Sequence, residues 1–218
     1  MNFPDSTSVN RRIPKTKFYE MPDFPPAARR LFDEQVRTVY WRNSLSAVSL
    51  NVAKGEKVSE VQVFELRLKG QQLDESVLRQ LDRIPYYILY ILTYDGKYQA
   101  RIAYKEPAAS ENNPFRIERY YATEWKEEDE LNFRIDGLDM DAVYENLIRQ
   151  TAGDILQAPP GESIGESVER DKKTEQLKKQ ISALKNKIRR EKQLNRQMEM
   201  RIELRQLQKE LKETEVTP

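Results

Sequence analysis

The pattern of hydrophobic and polar positions changes close to residue 153. Before this point, short runs rich in Val, Ile, Tyr and Phe alternate with brief stripes at helical spacing. After a segment rich in Pro, Gly and Ser, the chain is highly charged and contains no Gly or Pro over residues 166–217. The pattern predicts an α+β body with a single mixed or antiparallel sheet, flanked by about three helices and followed by a long coiled-coil-like helix.

Three helices are predicted in the body from their start and stop signals. Pro25 and Pro26 can open a helix over residues 25–38, because a proline at the first position loses no hydrogen bond. Asp74 is a suitable N-cap for a short helix that ends before Pro85. Asp139 caps a third helix, which stops at Gly153.

The strands are predicted from β-rich runs on either side of turn residues. "SAVSLNVAKGEKVSEVQVFELRLKG" contains two such runs around Lys54 to Lys57, which indicates a hairpin. Asp95-Gly96 supplies the pair of positive φ angles that a tight type I′ turn needs, so residues 86–107 form the clearest hairpin. A further strand is expected at 115–125, and residues 129–135 are expected to add an edge strand.

The predicted organisation has four parts. Residues 1–22 are read as a mobile N-terminal arm, 23–153 as the α+β body, 154–168 as a linker and 169–215 as one basic helix. A helix of about 45 residues would be about 70 Å long at 1.5 Å per residue.

Two blocks of apolar residues, spaced by threes and fours, lie on this helix, and the phase changes between them at Glu191 and Asn195. They are interpreted as two docking surfaces for a protein partner. An asparagine in a coiled-coil seam can instead specify register, so a homodimer joined by the helix is the alternative. The predicted partner-binding residues are Leu177, Ile181, Leu184, Ile188, Leu204, Leu207 and Leu211.

The net charge of +1 conceals an uneven distribution. Residues 171–213 hold 14 Lys and Arg against seven Asp and Glu, a net of +7, so the remainder carries −6. Such a basic helix suits contact with phosphate, and it also suits the acidic groove of a protein partner or the solvated side of a coiled coil. The predicted nucleic-acid-binding residues are Lys185, Lys187, Arg189, Arg190, Lys192 and Arg196.

The chain contains no Cys and no His. Thiol and imidazole nucleophiles, histidine bases and Cys/His zinc sites are therefore excluded. A Gly-rich phosphate loop is also missing, so no cofactor and no nucleotide hydrolysis are expected. Because no apolar run is long enough to span a bilayer and no leader is evident, the predicted location is the cytoplasm, without membrane contact.

Glu65 and Lys69 resemble part of the site of a Mg²⁺-dependent PD-(D/E)xK nuclease, in which carboxylates hold the metal and a lysine steadies the water. Strand parity places both on one face. Arg67, however, occupies the position where a second carboxylate is needed, and a guanidinium would repel the metal. A charged ladder on a solvent-facing or partner-facing sheet surface is the favoured interpretation, and the nuclease is the alternative.

Two further groups of residues each have a structural interpretation and a functional one. Asp136, Asp139 and Asp141 are explained by helix capping rather than by a metal site. The tyrosines and basic residues of residues 86–105 are ordinary for a sheet, although they also suit a stacking platform for single-stranded nucleic acid. This set comprises Tyr86, Tyr90, Tyr94, Tyr98 and Tyr104 with Lys97, Arg101 and Lys105.

The stretches "FDEQVRTVYWRNSLSAVSLNV", "EVQVFELRLK", "LRQLDRIPYYILYILTYDGKYQARIAYK" and "LKNKIRREKQLNRQMEMRIELRQLQKEL" together resemble an uncharacterised prokaryotic family, domain of unknown function four-three-nine-one. The likeness covers nearly everything after about residue 10. It implies accessory genes beside helicases and DNA methyltransferases in defence or restriction loci.

The expected function is a non-enzymatic accessory subunit of an anti-phage defence or restriction-type complex. Its C-terminal helix is expected to bind a helicase or methyltransferase partner and to help hold DNA.

Overall fold

The structure is a computed structural model that describes residues 2–21, 24–110, 113–157, 159 and 161–215, without the side chains of 109, 110, 113 and 114. Parts of the predicted arm, body and linker lie outside these residues. The chain forms two compact units, Met1–Ala152 and Gly153–Pro218. The boundary lies next to the one that the change in sequence pattern indicates.

The first unit is built on one six-stranded sheet whose strands lie side by side in chain order. Neighbouring strands are antiparallel except β3 and β4, which are parallel, so the sheet is mixed, which is one of the two arrangements that the sequence predicted. The strands are β1 (Ser8–Ile13), β2 (Val36–Ser46), β3 (Glu60–Leu68), β4 (Tyr87–Tyr94), β5 (Lys97–Ser110) and β6 (Asn113–Ala122).

One face of the sheet, here called the helical face, is covered by three helices. They are α1 (Thr16–Tyr19), α2 (Pro26–Gln35) and α4 (Glu75–Leu81); the short helix α3 (Ala47–Leu50) follows β2. Phe32 of α2 and Leu78 of α4 share a buried cluster with Leu66, Tyr90 and Leu92 from the strands. Burial of these large apolar groups is the main stabilising term for the unit.

The opposite face is covered at one end by α5 (Met140–Ala152), which packs on β5 and β6. The ring of Tyr144 lies 4.5 Å from that of Tyr87, and the Tyr144 hydroxyl donates to the carbonyl of Ala103. The other end of this face, around Glu65, lines the clefts described below. We call this uncovered end the open face.

The segment between α2 and β3 differs from its prediction. The helix ends at Gln35, and Val36 and Val39 are buried in strand β2, which pairs with β3 through residue 46. A β-branched residue fits the pleat of a buried strand better than a helix end, and pairing with β3 decides the outcome. The first strand of the hairpin therefore ends where the predicted run begins, and the prediction of a strand after Ser46 is wrong because residues 47–50 form helix α3. Residues 129–135 are outside the named strands.

Residues of the predicted N-terminal arm are part of the fold. Strand β1 pairs with β2, with Arg11 opposite Trp41 and Arg12 opposite Tyr40. Phe18 is buried in the helical-face cluster. Lys15 donates to the carbonyls of Phe32 and Val36 at the end of α2, where the helix dipole favours a cation.

The predicted turn and cap residues take the expected conformations. Asp95 and Gly96 have φ angles of 49° and 75°, and they join β4 to β5. The Asp139 carboxylate accepts the backbone N–H of Ala142 at 2.8 Å, which caps α5.

Among the described residues of the second unit, a short 3-10 helix (Gly153–Leu156) precedes two α-helices, α6 (Ile164–Arg190) and α7 (Leu194–Thr214). The continuous helix expected from the sequence is interrupted at residues 191–193. Lys173, early in α6, pairs with Glu210, late in α7, at 2.9 Å, whereas Gln197 donates to the carbonyl of Glu191. The helices are therefore antiparallel, and we call them the C-terminal hairpin. The change of apolar phase at Glu191 marks the bend.

Candidate functional site

Glu65 lies in the middle of β3, on the open face, and its side chain is only 4% exposed. The Arg42 guanidinium approaches one carboxylate oxygen to 2.5 Å, and the Arg67 Nε approaches the other to 2.6 Å. Because a buried carboxylate without partners is costly, two guanidiniums explain how β3 accommodates this acid. The expectation that Glu65 faces the solvent is wrong, because Arg42 and Arg67 cover its carboxylate.

The two arginines also flank an aromatic ring. Arg42 and Arg67 lie 5.0 and 4.6 Å from the centroid of Tyr40, which is the residue paired with Glu65 across β2 and β3. Cation–π contacts of this kind add to the ion pairs. The hydrogen bond to Glu65 raises the pKa of Arg67. Glu65, Arg42, Arg67 and Tyr40 thus form one cluster with fixed geometry.

Two clefts meet at this cluster. The larger, which we call the strand-end cleft, has a volume of about 450 Å³ and lies where β2 begins and β4 ends; its lining includes Arg37, Thr38, Tyr40, Arg67, Asp95 and Tyr98. The second has a volume of about 310 Å³ and is lined by residues that include Asn10, Arg42 and Glu128. Glu65 and Tyr98 line both clefts, so Tyr98 stands between them.

Lys69 is not brought together with Glu65. It follows the last residue of β3, and its Nζ donates to the Asp33 carbonyl at 2.7 Å, at the end of α2. Both oxygens of Glu65 accept from arginines instead. Within the described residues, no group of three or more Asp and Glu is placed to hold a metal ion. The geometry that the nuclease alternative needs is therefore not assembled around these two residues.

The acidic cluster near α5 has structural partners. Asp141 accepts the backbone N–H groups of Glu56 at 2.9 Å and Val58 at 2.7 Å, and it holds the loop that precedes β3. A Cβ on Gly55 would lie 2.4 Å from an oxygen of Asp141, so this position needs glycine. The capping interpretation applies to Asp139, and Asp141 closes a long-range contact that the sequence does not signal.

The tyrosines of the predicted stacking platform are distributed over both faces. Tyr90 is fully buried on the helical face, whereas Tyr98 is paired with Thr93 and lies on the open face. Tyr86 is exposed. A continuous platform made of the whole set is not formed, and Tyr94 and Tyr98 are the tyrosines of the set that line the strand-end cleft.

Lys105 belongs to a buried polar network instead of a surface. Its Nζ lies 2.8 Å from Asp82, and both side chains are at most 1% exposed. Tyr90 and Tyr120 donate their hydroxyls to the same carboxylate. Burial and the Asp82 charge raise the pKa of Tyr120 far above its usual value. Both carboxylate oxygens of Asp82 thereby have partners in the interior of the unit.

The predicted nucleic-acid-binding residues lie together at the bend of the C-terminal hairpin. All six side chains are exposed, and among the described residues none has an acid within ion-pair distance. Several cations elsewhere on the hairpin are paired, for example Lys178 with Glu215 and Lys179 with Glu175, whereas Arg201, Arg205 and Lys212 of α7 also have no ion pair among the described residues. We call the unpaired set, Lys185, Lys187, Arg189, Arg190, Lys192 and Arg196, the basic bend.

The predicted partner-binding residues are mostly covered within the chain. Leu177, Ile181 and Leu184 are buried, whereas Ile188, Leu204, Leu207 and Leu211 are half-buried. The exposed apolar residues are a different set on α7: Leu194, Met198 and Ile202 are 71, 54 and 56% exposed and are spaced by four. Spacing by four puts them on one side of the helix. The sequence did not point to this set, because the spacing by threes and fours predicted a seam on a different side of α7.

Several site residues could have been found from the sequence, but were not. In "VYWRN", Tyr40 and Arg42 are two positions apart, as Glu65 and Arg67 are in "VFELR". Had β2 been placed from residue 36, parity would have put Tyr40 and Arg42 on the face of Glu65. The prediction of a helix to residue 38 concealed this signal.

The fold and the sites define an α+β protein with one mixed six-stranded sheet, an arginine and tyrosine cluster and a basic helical hairpin. The chain belongs to the family described as Domain of unknown function (DUF4391), whose model matches residues 1–211. No curated protein and no solved structure matches the chain. Among the described residues, no helix is long and apolar enough to cross a membrane.

Proposed function

We propose that this protein is a non-catalytic accessory subunit of a prokaryotic defence or restriction-type complex. In this proposal the C-terminal hairpin docks on a helicase or DNA methyltransferase and contacts nucleic acid. The proposed defence or restriction complex, and the kind of partner, are inferred from the resemblance of the sequence to its family. The observation that carries the proposal is the basic bend, where six exposed cations lie within twelve positions without an acidic partner in the described chain.

The basic bend supports nucleic-acid contact through its local charge balance. Lys178 and Lys179 form ion pairs with glutamates, which neutralise them, whereas Arg189 and Arg190 end α6 without an ion pair among the described residues, although Glu191 follows them in the chain. The helix C-terminus favours cations, which accounts for part of the pattern. The pattern continues past the break to Lys192 and Arg196, and Arg196 lies in the first turn of α7, where the helix dipole does not favour a cation. Phosphate groups are the ligands that such a density of charge binds most strongly.

The apolar stripe of Leu194, Met198 and Ile202 supports a protein partner. Exposed large apolar side chains that lie in one row mark interaction surfaces more often than single exposed ones do. This stripe begins directly after the bend, so the same end of the hairpin offers charge and apolar area. A partner that binds DNA itself would use both.

The test uses the full chain, purified with its bound components from the native host. Glutamine at Lys187, Arg189, Arg190 and Arg196 should remove bound nucleic acid and should lower the salt dependence of DNA affinity by about one phosphate contact per cation. Serine at Leu194, Met198 and Ile202 should release the protein partner. The matched control, Lys179→Gln with Lys209→Gln, changes two cations of the same hairpin that already have glutamate neighbours.

Deletion of residues 166–218 should abolish complex formation and leave the first unit folded. A complex that survives this deletion would contradict the proposal. If the full chain shows a concentration-dependent doubling of mass that the serine variant loses, with no partner and no DNA retained, the hairpin is a homodimer contact instead.

A further inference from the structure

We propose that the strand-end cleft binds a nucleoside phosphate, either as a free nucleotide or as one unit of a single strand. The site lies in the first unit and is independent of the basic bend. It is formed by Arg37, Thr38, Arg67 and Tyr98 around the buried Glu65. Its volume of about 450 Å³ falls within the range of about 300–1,000 Å³ found for small-ligand sites.

The charge of the cleft favours a phosphate. Glu65 is neutralised by Arg67 of this cleft and by Arg42, which lines the neighbouring cleft, so the cluster of Glu65 with its two arginines has a net positive charge. Arg37 is exposed and has no ion pair within the described chain, so it adds a further positive charge at the rim. Asp95 is the opposing charge, and it sits in the exposed turn. Guanidinium groups held in place by a carboxylate and a ring present fixed donors to phosphate oxygens.

One hydroxyl group in the wall of the strand-end cleft has no hydrogen-bond partner among the described residues. The Thr38 Oγ1 is inaccessible to solvent and, within the described residues, has no hydrogen bond. Buried hydroxyls in folded proteins are normally satisfied, and leaving one unpaired costs free energy. Thr38 lines the cleft beside Arg37, and because its Oγ1 is closed to solvent, the hydroxyl would reach a ligand oxygen only after the side chain rotates toward the cleft.

The aromatic wall supplies the second half of the recognition. The ring of Tyr40 is already flanked by two guanidiniums. Tyr98 is half-buried, and its hydroxyl donates to Glu128 at 3.2 Å, which fixes the ring between the two clefts. A ring held in this way can stack on the flat face that every nucleobase presents. Stacking beside fixed guanidiniums distinguishes a nucleotide from a simple anion or an acidic peptide.

The test is a set of titrations of the full chain with AMP, a short oligothymidylate and inorganic phosphate, followed by NMR of backbone amides. Binding should shift the signals of residues 37–40 and 93–98. Tyr98→Ala should weaken binding by about ten-fold or more, whereas Tyr98→Phe, which keeps the ring, should retain most of it. Arg37→Gln should weaken every phosphate-bearing probe.

Two further variants sharpen the result. Arg11→Gln is the matched control, because Arg11 is an exposed arginine of the same sheet that is paired with Trp41 on the helical face. Asp95→Asn should strengthen binding by roughly two- to five-fold, since it removes an exposed opposing charge. Asparagine tolerates the positive φ of this turn, so the fold is retained.

Binding of AMP at the cleft identifies a free nucleotide as the ligand, and binding of the oligothymidylate alone identifies a strand. The proposal is overturned if neither probe shifts these amides, if phosphate alone binds as tightly as AMP, or if Arg11→Gln weakens binding as much as Arg37→Gln. Signals of residues 185–196 in the same spectra report on the basic bend, so failure of the proposed function is seen separately.

Discussion

Asp82 and Lys105 form an ion pair from which solvent is excluded, and this pair illustrates how single residues set the stability of the first unit. Lys105 also donates to the carbonyl of Tyr86 at 2.7 Å, and the Asp82 carboxylate accepts two tyrosine hydroxyls. Each charge has lost its hydration and depends on the other for compensation. Removing one member therefore costs more than removing both.

We expect Lys105→Met to lower the free energy of unfolding by about 3–5 kcal/mol, because Asp82 then remains buried without a cation. The double variant Asp82→Asn with Lys105→Met should lose clearly less than the sum of the single losses. Urea unfolding of the four proteins measures this coupling. Lys17→Gln, which breaks an exposed pair with Glu20, is the control and should change stability by less than about 1 kcal/mol. Additive losses would contradict the prediction.

Tyr87 gives a prediction for alkaline pH. Burial raises the pKa of its hydroxyl to about 12, against 10 for an exposed tyrosine. Above pH 10 the unfolded chain loses this proton while the folded chain keeps it, so stability is unaffected below pH 10 and falls between pH 10 and 12. The contribution is about 1.4 kcal/mol per pH unit.

Tyr87→Phe should reduce the decline in unfolding free energy over this interval, as measured by urea unfolding at a series of pH values. Tyr86→Phe removes a hydroxyl from an exposed neighbouring position and serves as the control. Equal slopes for the wild-type protein and Tyr87→Phe would count against a buried, protonated Tyr87.

At the scale of elements, the bend at residues 191–193 decides what the C-terminal segment presents. Glu191 ends α6, and its carboxylate accepts the N–H groups of Lys192 at 2.8 Å and Gln193 at 2.9 Å. These hydrogen bonds lower the pKa of Glu191. The bend brings apolar blocks of one chain onto each other, where a straight helix would have offered them to another chain.

The sequence contained this information only in part. Both apolar blocks and the change of phase at Glu191 and Asn195 are visible from residue spacing. Spacing alone does not distinguish a phase shift in a straight helix from a turn, because neither Gly nor Pro marks the break. The turn is favoured over a straight helix by the packing of α6 on α7 and by Gln197, which donates to the carbonyl of Glu191 across the bend.

Restoring the seam should convert the hairpin into a longer helix. We expect Glu191→Leu with Asn195→Leu to continue the apolar pattern of the first block and to promote dimers in which the blocks meet between chains. Sedimentation equilibrium should show a concentration-dependent doubling of mass. Glu199→Leu, which adds one exposed leucine outside the seam, is the control. A monomeric double variant would show that local hydrogen bonds at the bend outweigh the seam.

For the whole molecule, the sequence predicted the class of fold better than the site. Turn and cap residues such as Asp95, Gly96 and Asp139 act locally, so their roles could be read from neighbours along the chain. The contacts of Glu65 with Arg42 and of Lys105 with Asp82 join residues 23 positions apart. The first contact depends on the register of β2 against β3, which the predicted helix to residue 38 left unplaced. The second joins strand β5 to the residue that caps α4, and neither sequence segment signals it. The open face was consequently read as an ordinary solvated surface.

The order of the strands has a consequence for how the chain is made. Each strand lies beside the one that precedes it in the sequence, from β1 to β6, so no strand must wait for a distant segment before it finds a neighbour. Domains form as the chain leaves the ribosome, N-terminal parts first, and pairing between nearby segments is fast. The sheet can therefore grow by one strand at a time during synthesis, and the C-terminal hairpin emerges only after the first unit is complete.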